Sequence, residues 1–188
     1  MAKMPKDQRR EQLIDLAMEI VRDKGADELT LATLAARAGV SRPVTYEHFA
    51  TRPGLLLALF QRLEDNYAEK LRQALAAAPG DLQALADVMS RAYFNCLADV
   101  GAEAPAISAA LKGTDEMAAQ QRAMIDEYVQ IMCGALRVHS SLTDEQLSLR
   151  CVGILGAAEA MAGEARTVQT LADEAVAALG AMIVGSVV

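Results

Sequence analysis

With 188 residues, 53% of them hydrophobic, the chain is long enough to bury a core without disulfides or metals. A formal charge of −7 excludes a surface that is basic throughout, and 4% aromatics with no Trp, abundant Ala and few β-branched runs favour helices over sheet. The charge is unevenly spread: residues 1–55 hold 9 Lys/Arg against 8 Asp/Glu, a net of +1, while the remainder carries a net of −8. An acidic body with a neutral-to-basic end suits a protein that meets phosphate at one end, although drift in composition gives the same pattern.

The first helix is expected over 7–24, its apolar positions Leu13, Ile14, Ala17, Met18, Ile20 and Val21 following the helical period, with Gly25 ending it in a left-handed conformation. Thr30 is read as the cap of a second helix, 31–38, stopped by Gly39, and Ser41 as the cap of a third, from Arg42 to about His48, with Pro43 in its first turn. Thr51 caps a long fourth helix that stops near Pro79–Gly80, and Asp81 a fifth over 82–100, closed by Gly101.

A short sixth helix opens at Pro105 and ends at Gly113, and Thr114 caps a seventh over 115–138. Thr143 and Gln146 make a capping box for an eighth helix reaching Gly163, and Thr170 caps a ninth that runs to the end. No stretch alternates with period two, so the expected class is all-α with about nine helices, with a first domain over 1–52 and a second over 53–188.

Three cysteines, Cys96, Cys133 and Cys151, form no close pair and fall in apolar helical stretches, which reads as buried reduced thiols. With only His48 and His139 beside them, a metal cluster is not expected, nor is any cofactor. The N-terminus lacks an apolar signal core, and the 14-residue apolar run 175–188 is shorter than the ~20 residues that span a bilayer, so a cytoplasmic protein with no membrane association is expected. No nucleophile–base pair, phosphate-cradling glycine loop or supported carboxylate pair appears, and the chain is read as not an enzyme.

Residues 29–52 carry the chemistry. Two short helices flank Gly39-Val40-Ser41; Ala35, Ala36 and Ala38 offer small surfaces where helices cross, Gly39 takes the turn, and Val40 plugs the angle. The stretch Thr30, Leu34-Ala35-Ala36, Ala38-Gly39-Val40-Ser41, Thr45-Tyr46-Glu47-His48-Phe49, Arg52 and Leu55-Leu56 resembles the DNA-binding signature of the TetR repressors, specifically over residues 8–60. The resemblance implies a three-helix N-terminal domain, a long connecting helix and a helical ligand-binding and dimerisation domain. Two departures stand out: Arg52 replaces the usual Lys, keeping the charge, and Arg42-Pro43 replaces commoner small or polar residues.

An expected DNA-reading set follows. Arg42 can donate two parallel hydrogen bonds to guanine, or clamp a phosphate. Pro43 and Val44 can pack on a thymine methyl or merely shape the helix. Ser41 and Thr45 can bond phosphate, with capping and packing as their other readings. By resemblance, Tyr46 and His48 touch phosphate; for Tyr46, partial burial between helices is the alternative. Phe49 is read as core. Thr30 and Arg52 lie at helix N-termini, which are ready phosphate sites. Lys3, Lys6, Arg9 and Arg10 can form a basic arm or remain a solvated tail.

The ninth helix is apolar nearly all round and the eighth is rich in small residues, so a homodimer through these last two helices is expected, by resemblance a four-helix interface, with an intramolecular core as the alternative. Met89, Tyr93, Gln121, Met124 and Tyr128 are assigned to a pocket for a small apolar or amphipathic ligand, with ordinary core as the competing reading. The expected function is a repressor released from a palindromic operator in double-stranded DNA by that ligand. The same shape also fits an activator, or a helical interaction protein that binds no DNA.

Overall fold

The computed structural model describes residues 4–100, 103–111, 115–167 and 172–187. Over these residues the chain is all-helical: α1 (Lys6–Lys24), α2 (Leu31–Ala38), α3 (Arg42–Phe49), α4 (Arg52–Ala77), α5 (Leu82–Val100), α6 (Glu103–Leu111), α7 (Asp115–Leu136), α8 (Asp144–Thr167) and α9 (Ala172–Val187). Two 3₁₀ turns, Ala26–Glu28 and Arg137–His139, precede α2 and α8. The second shortens α7 by two residues relative to the expected helix, its last turn tightening as helix ends commonly do.

Local signals set most boundaries. The hydroxyl of Thr30 accepts from the Thr33 amide at 3.0 Å while Thr33 Oγ1 accepts from the Thr30 amide at 2.9 Å, a reciprocal cap built with Thr in place of the usual Glu or Gln. The Gly54 amide donates to Thr51 Oγ1, the Ala84 amide to an Asp81 carboxylate oxygen, and Thr143 with Gln146 closes the expected box. Pro105 falls inside the first turn of α6, where its missing N–H costs nothing, so that helix opens two residues earlier than expected. No stop signal acts at Gly163, and α8 continues to Thr167. The expected stops and caps at Gly101, Gly113, Thr114 and Thr170 lie outside the described residues.

The chain forms two compact units, one of residues 1–63 with 100–122 and the other of residues 64–99 with 123–188. The boundary expected at residue 52 falls within the first unit, and α4 and α7 each contribute to both.

The N-terminal unit is built on α1, whose Leu13, Ile14, Ala17, Ile20 and Val21 are buried, with Met18 half-buried beside them. Leu29, Leu31, Leu34, Phe49, Leu55, Leu56 and Leu59 close this core, and α6 packs on α1 and on the first 3₁₀ turn, burying Ile107 and Leu111. On the surface Arg62 of α4 pairs with Glu11 and with Asp15 of α1.

The C-terminal unit has one large apolar cluster. It joins Leu71, Ala86, Met89, Tyr128, Val129, Met132, Leu136, Leu147, Cys151, Ile154, Leu179 and Ile183. Gly180 of α9 is buried against α5, where an added Cβ would lie 3.6 Å from the buried Ser90 hydroxyl. The Arg150 guanidinium donates to the Ser186 carbonyl, holding α8 to the last turn of α9.

Candidate nucleic-acid interface

The turn between α2 and α3 depends on Gly39, which adopts φ +64°, ψ +31°, while its amide and that of Val40 return to the last carbonyls of α2. A side chain there would meet the Cβ–carbonyl crowding that only glycine escapes. Thr45 fixes the angle between the helices: it is 0% exposed, and its hydroxyl lies 3.0 Å from the Leu31 carbonyl and 2.9 Å from the Arg42 carbonyl. Ala35 is buried at this crossing, Ala38 and Val40 are half-buried, and Ala36 faces solvent, so only part of the expected small-residue contact forms.

The α3 helix is anchored by Thr45 and Phe49, one turn apart on its inner face, with Arg10 stacked 5.3 Å above the Phe49 ring. The opposite face carries Arg42, Pro43, Tyr46 and Glu47, all exposed, and Tyr46 is 54% accessible. Tyr46 thus lies on the outward side of α3 and not in the core. Ser41 and Arg42 are exposed at the N-terminal end of this face, and Val44 and His48 border it half-buried.

Four expected roles change. Ser41 occupies the N-cap position with extended backbone, but its hydroxyl makes no cap hydrogen bond. Pro43 at the second helical position has no N–H, and the Val44 amide already donates to the Ser41 carbonyl at 3.0 Å, so neither donor that a cap uses remains. Thr45 is a latch sealed inside the domain and cannot reach phosphate. Arg52 is occupied as a clamp: Nε donates to the Leu29 carbonyl and Nη2 to the Ala26 carbonyl, both at 2.8 Å, with Asp27 at 3.9 Å. These bonds tie the start of α4 to the turn before α2. The hydroxyl of Thr30 is likewise engaged in its cap.

Glu47 was not anticipated. It shares the outward face with Arg42 and Tyr46 and lies 3.9 Å from Lys6. Its place after Tyr46 in the recognition segment is the signal for it, although an acid is not a phosphate ligand. Lys6, Arg9 and Arg10 belong to α1, so the basic residues described here are helical and not an extended arm; Lys3 lies outside the described residues.

The Nδ1 of His48 is enclosed without a hydrogen-bond partner. Burial is the main influence holding its pKa below the ordinary 6.5; Glu47 opposes this, and Lys6, Arg10 and Arg9 add to it. The folded state thus takes up fewer protons than the unfolded chain as pH falls through about 6.5, so this residue destabilises the fold on acidification and has no effect well above that pH. His48→Gln is expected to flatten the fall in thermal stability between pH 7.5 and 5.5; an unchanged slope removes His48 as its source.

Of the residues assigned to a ligand pocket, Met89 and Tyr128 are buried in the core of the C-terminal unit. Tyr93 packs half-buried against that core, edge-on to Phe94 at 5.5 Å. The side chains of Gln121 and Met124 lie outside the described residues. Among the described residues no group of three or more His, Cys, Asp or Glu could hold a metal ion. None of the described helices is long and apolar enough to cross a membrane.

Two short helices set by a glycine turn, locked by a buried hydroxyl and presenting the second helix outward, define a helix-turn-helix domain. Residues 13–59 match the family model described as bacterial regulatory proteins, tetR family. The HTH-type transcriptional activator FasR of Mycolicibacterium smegmatis is 41% identical over 83 residues, covering 44% of this chain and 38% of that protein. The HTH-type transcriptional regulator BetI of Yersinia pestis is 39% identical over 69 residues, 37% of this chain and 35% of its own length. The chain thus matches well under half the length of these relatives.

The fold is shared much further along the chain. A transcriptional regulator from Pseudomonas aeruginosa superposes with a TM-score of 0.76 at 18% identity, covering 97% of this chain and 92% of that one. The regulator FadR from Bacillus subtilis, solved with stearoyl-CoA, gives 0.72 at 18% identity over 90% and 96%. Over residues 13–59 the chain matches the tetR family of bacterial regulatory proteins, and beyond them the likeness is one of fold.

Proposed function

We propose that this protein is a homodimeric transcriptional regulator that inserts α3 into the major groove of each half of a palindromic operator. The observation that carries this reading is the outward face of α3, where Arg42, Pro43, Tyr46 and Glu47 are exposed while Thr45 and Phe49 anchor the helix from behind. Arg42 reads guanine through O6 and N7, and Glu47 suits the amino group of cytosine, which a carboxylate accepts from. Val44 and Pro43 supply apolar contact at the groove. Ser41, Tyr46 and His48 hold backbone phosphates, with Lys6 of α1 3.9 Å from Glu47 of α3. Thr30 and Arg52 act indirectly, through the stability of the domain.

A helix as short as α3 covers few base pairs, so affinity and specificity require two copies about one helical turn, ~34–36 Å, apart. The exposed stripe of α8, with Leu149 72% and Val152 50% accessible and Gly153, Gly156 and Ala160 following, is the proposed seat of the partner. Ala177, Ala181, Met182 and Gly185 on the outer side of α9 extend it. Apolar residues at this spacing, flanked by glycines, allow close helix approach and need burial. Leu149→Asp is expected to yield monomers by light scattering and to weaken operator binding at least tenfold; a dimer of unchanged stability would move the interface elsewhere.

A small apolar or amphipathic ligand binding in the core of the C-terminal unit, against Met89, Tyr93 and Tyr128, is the proposed effector. Neighbours of the same fold are described in complex with stearoyl-CoA and with imidazole. Such a ligand releases DNA only by binding the DNA-incompetent state more tightly, and couplings of ~1–3 kcal/mol are usual. Repression with ligand release is the primary reading; activation is the second, favoured by the name of the relative FasR, an activator.

The test is a gel-shift titration with the DNA flanking the coding region, followed by footprinting and a reporter assay. Protection of an inverted repeat, with affinity that falls steeply with salt, is expected. Absence of retardation at low salt would overturn the DNA-binding reading, and the sign of the reporter response separates repressor from activator.

A further inference from the structure

Cys133 of α7 and Cys151 of α8 share the buried cluster of the C-terminal unit. Residues 137–143 join the two helices, and so short a connection sets them side by side in opposite directions. Counting outward from it, Leu136 comes level with Leu147, Cys133 with Cys151, and Val129 with Ile154. All six belong to or pack on the one buried cluster of this unit. Cys151 is fully buried and Cys133 is half-buried. Burial, and then its neighbour, push the Cys151 thiol up to about 12. A solitary core cysteine has no such companion, so the reading of these two residues as inert packing groups is incomplete.

We propose that Cys133 and Cys151 are a redox-sensitive pair, which a peroxide converts from two thiols to one disulfide within the C-terminal unit. Cys133, with its solvent access, is attacked first: its sulfur bonds to one peroxide oxygen, the O–O bond breaks, and water leaves, giving a sulfenic acid. Cys151 stays protonated until then and acts as the resolving thiol. Its sulfur bonds to that of Cys133, the S–O bond breaks, and the departing hydroxide leaves as water with the Cys151 proton. Two thiols lose two electrons in all, and one peroxide is reduced to two waters.

The bridge has a mechanical consequence. A disulfide holds its Cα atoms ~4.4–6.8 Å apart, whereas helix axes pack ~8–10 Å apart. Closing it draws α7 and α8 together at this level. The α8 helix carries the proposed dimer stripe on its opposite side, and α7 begins among residues of the N-terminal unit.

The experiment treats the reduced full-length chain with hydrogen peroxide, alkylates the remaining thiols and maps non-reduced tryptic peptides by mass spectrometry. Titratable thiols are expected to fall from three to one, with residues 123–137 linked to 151–166 and the linked mass two hydrogens below the sum. The same linkage should form in Cys96→Ser and vanish in Cys133→Ser. In Cys151→Ala, Cys133 should instead accumulate as a sulfenic acid trapped by dimedone. If both cysteines stay fully alkylatable in the wild-type chain, or Cys133 is over-oxidised there without linkage, the pair is not a switch.

Discussion

Replacing Arg42 with alanine is expected to lower operator affinity by about 5- to 150-fold per half-site, corresponding to the ~1–3 kcal/mol of a bidentate guanine contact. The side chain stands exposed at the start of α3, where a recognition helix meets base edges. Base reading and phosphate clamping separate in the conservative change Arg42→Lys. An ammonium retains the charge but not the planar fork. Loss of base preference with an unchanged salt slope is therefore expected from Arg42→Lys. If Arg42→Ala instead weakens all sequences equally and reduces the salt slope by about one, the residue is a phosphate clamp. Binding curves on the natural operator and on single-base variants, each at several salt concentrations, decide between these outcomes.

The largest structural effect is expected at Gly54. The connection from α3 to α4 is a γ-turn: Ala50 adopts φ +58°, ψ −51°, and the Thr51 amide reaches back to the Phe49 carbonyl at 2.6 Å. That carbonyl lies 2.4 Å from where a Cβ on Gly54 would stand. The obstacle is backbone, already committed to the turn, and cannot rotate aside. Gly54→Ala should cost about 3 kcal/mol of overpacking, offset by about 1 kcal/mol of improved helix propensity, a net loss of about 2 kcal/mol. For a chain of this size that lowers the melting temperature by ~4–8 °C. A melting point unchanged in calorimetry would show that the turn relaxes freely. Because Phe49 anchors α3, operator binding should weaken with stability.

What the amino-acid order determined by itself is the set of local decisions. Caps at Thr30, Thr51, Asp81 and Thr143 act between residues three apart in sequence, and the stop at Gly39 acts on the turn before it, so each is readable without knowing what packs nearby. The helical period of α1 revealed its buried face for the same reason, and the outward set of α3 followed from one anchored turn. The motif in residues 29–52 therefore disclosed both the domain and most of its proposed reading face.

Tertiary structure decided how individual polar groups are used. Arg52 finds carbonyls 23 and 26 residues away, and Thr45 bonds across 14 residues, so their expected phosphate contacts gave way to packing roles that no local pattern announces. The assignment of α6 to the N-terminal unit and the placing of Cys133 and Cys151 on one buried cluster likewise depend on which faces the helices share once packed. A cap or a glycine stop is a short-range interaction that the backbone resolves alone. A buried donor takes whichever acceptor the assembled helices bring within reach, and that choice exists only in the folded chain.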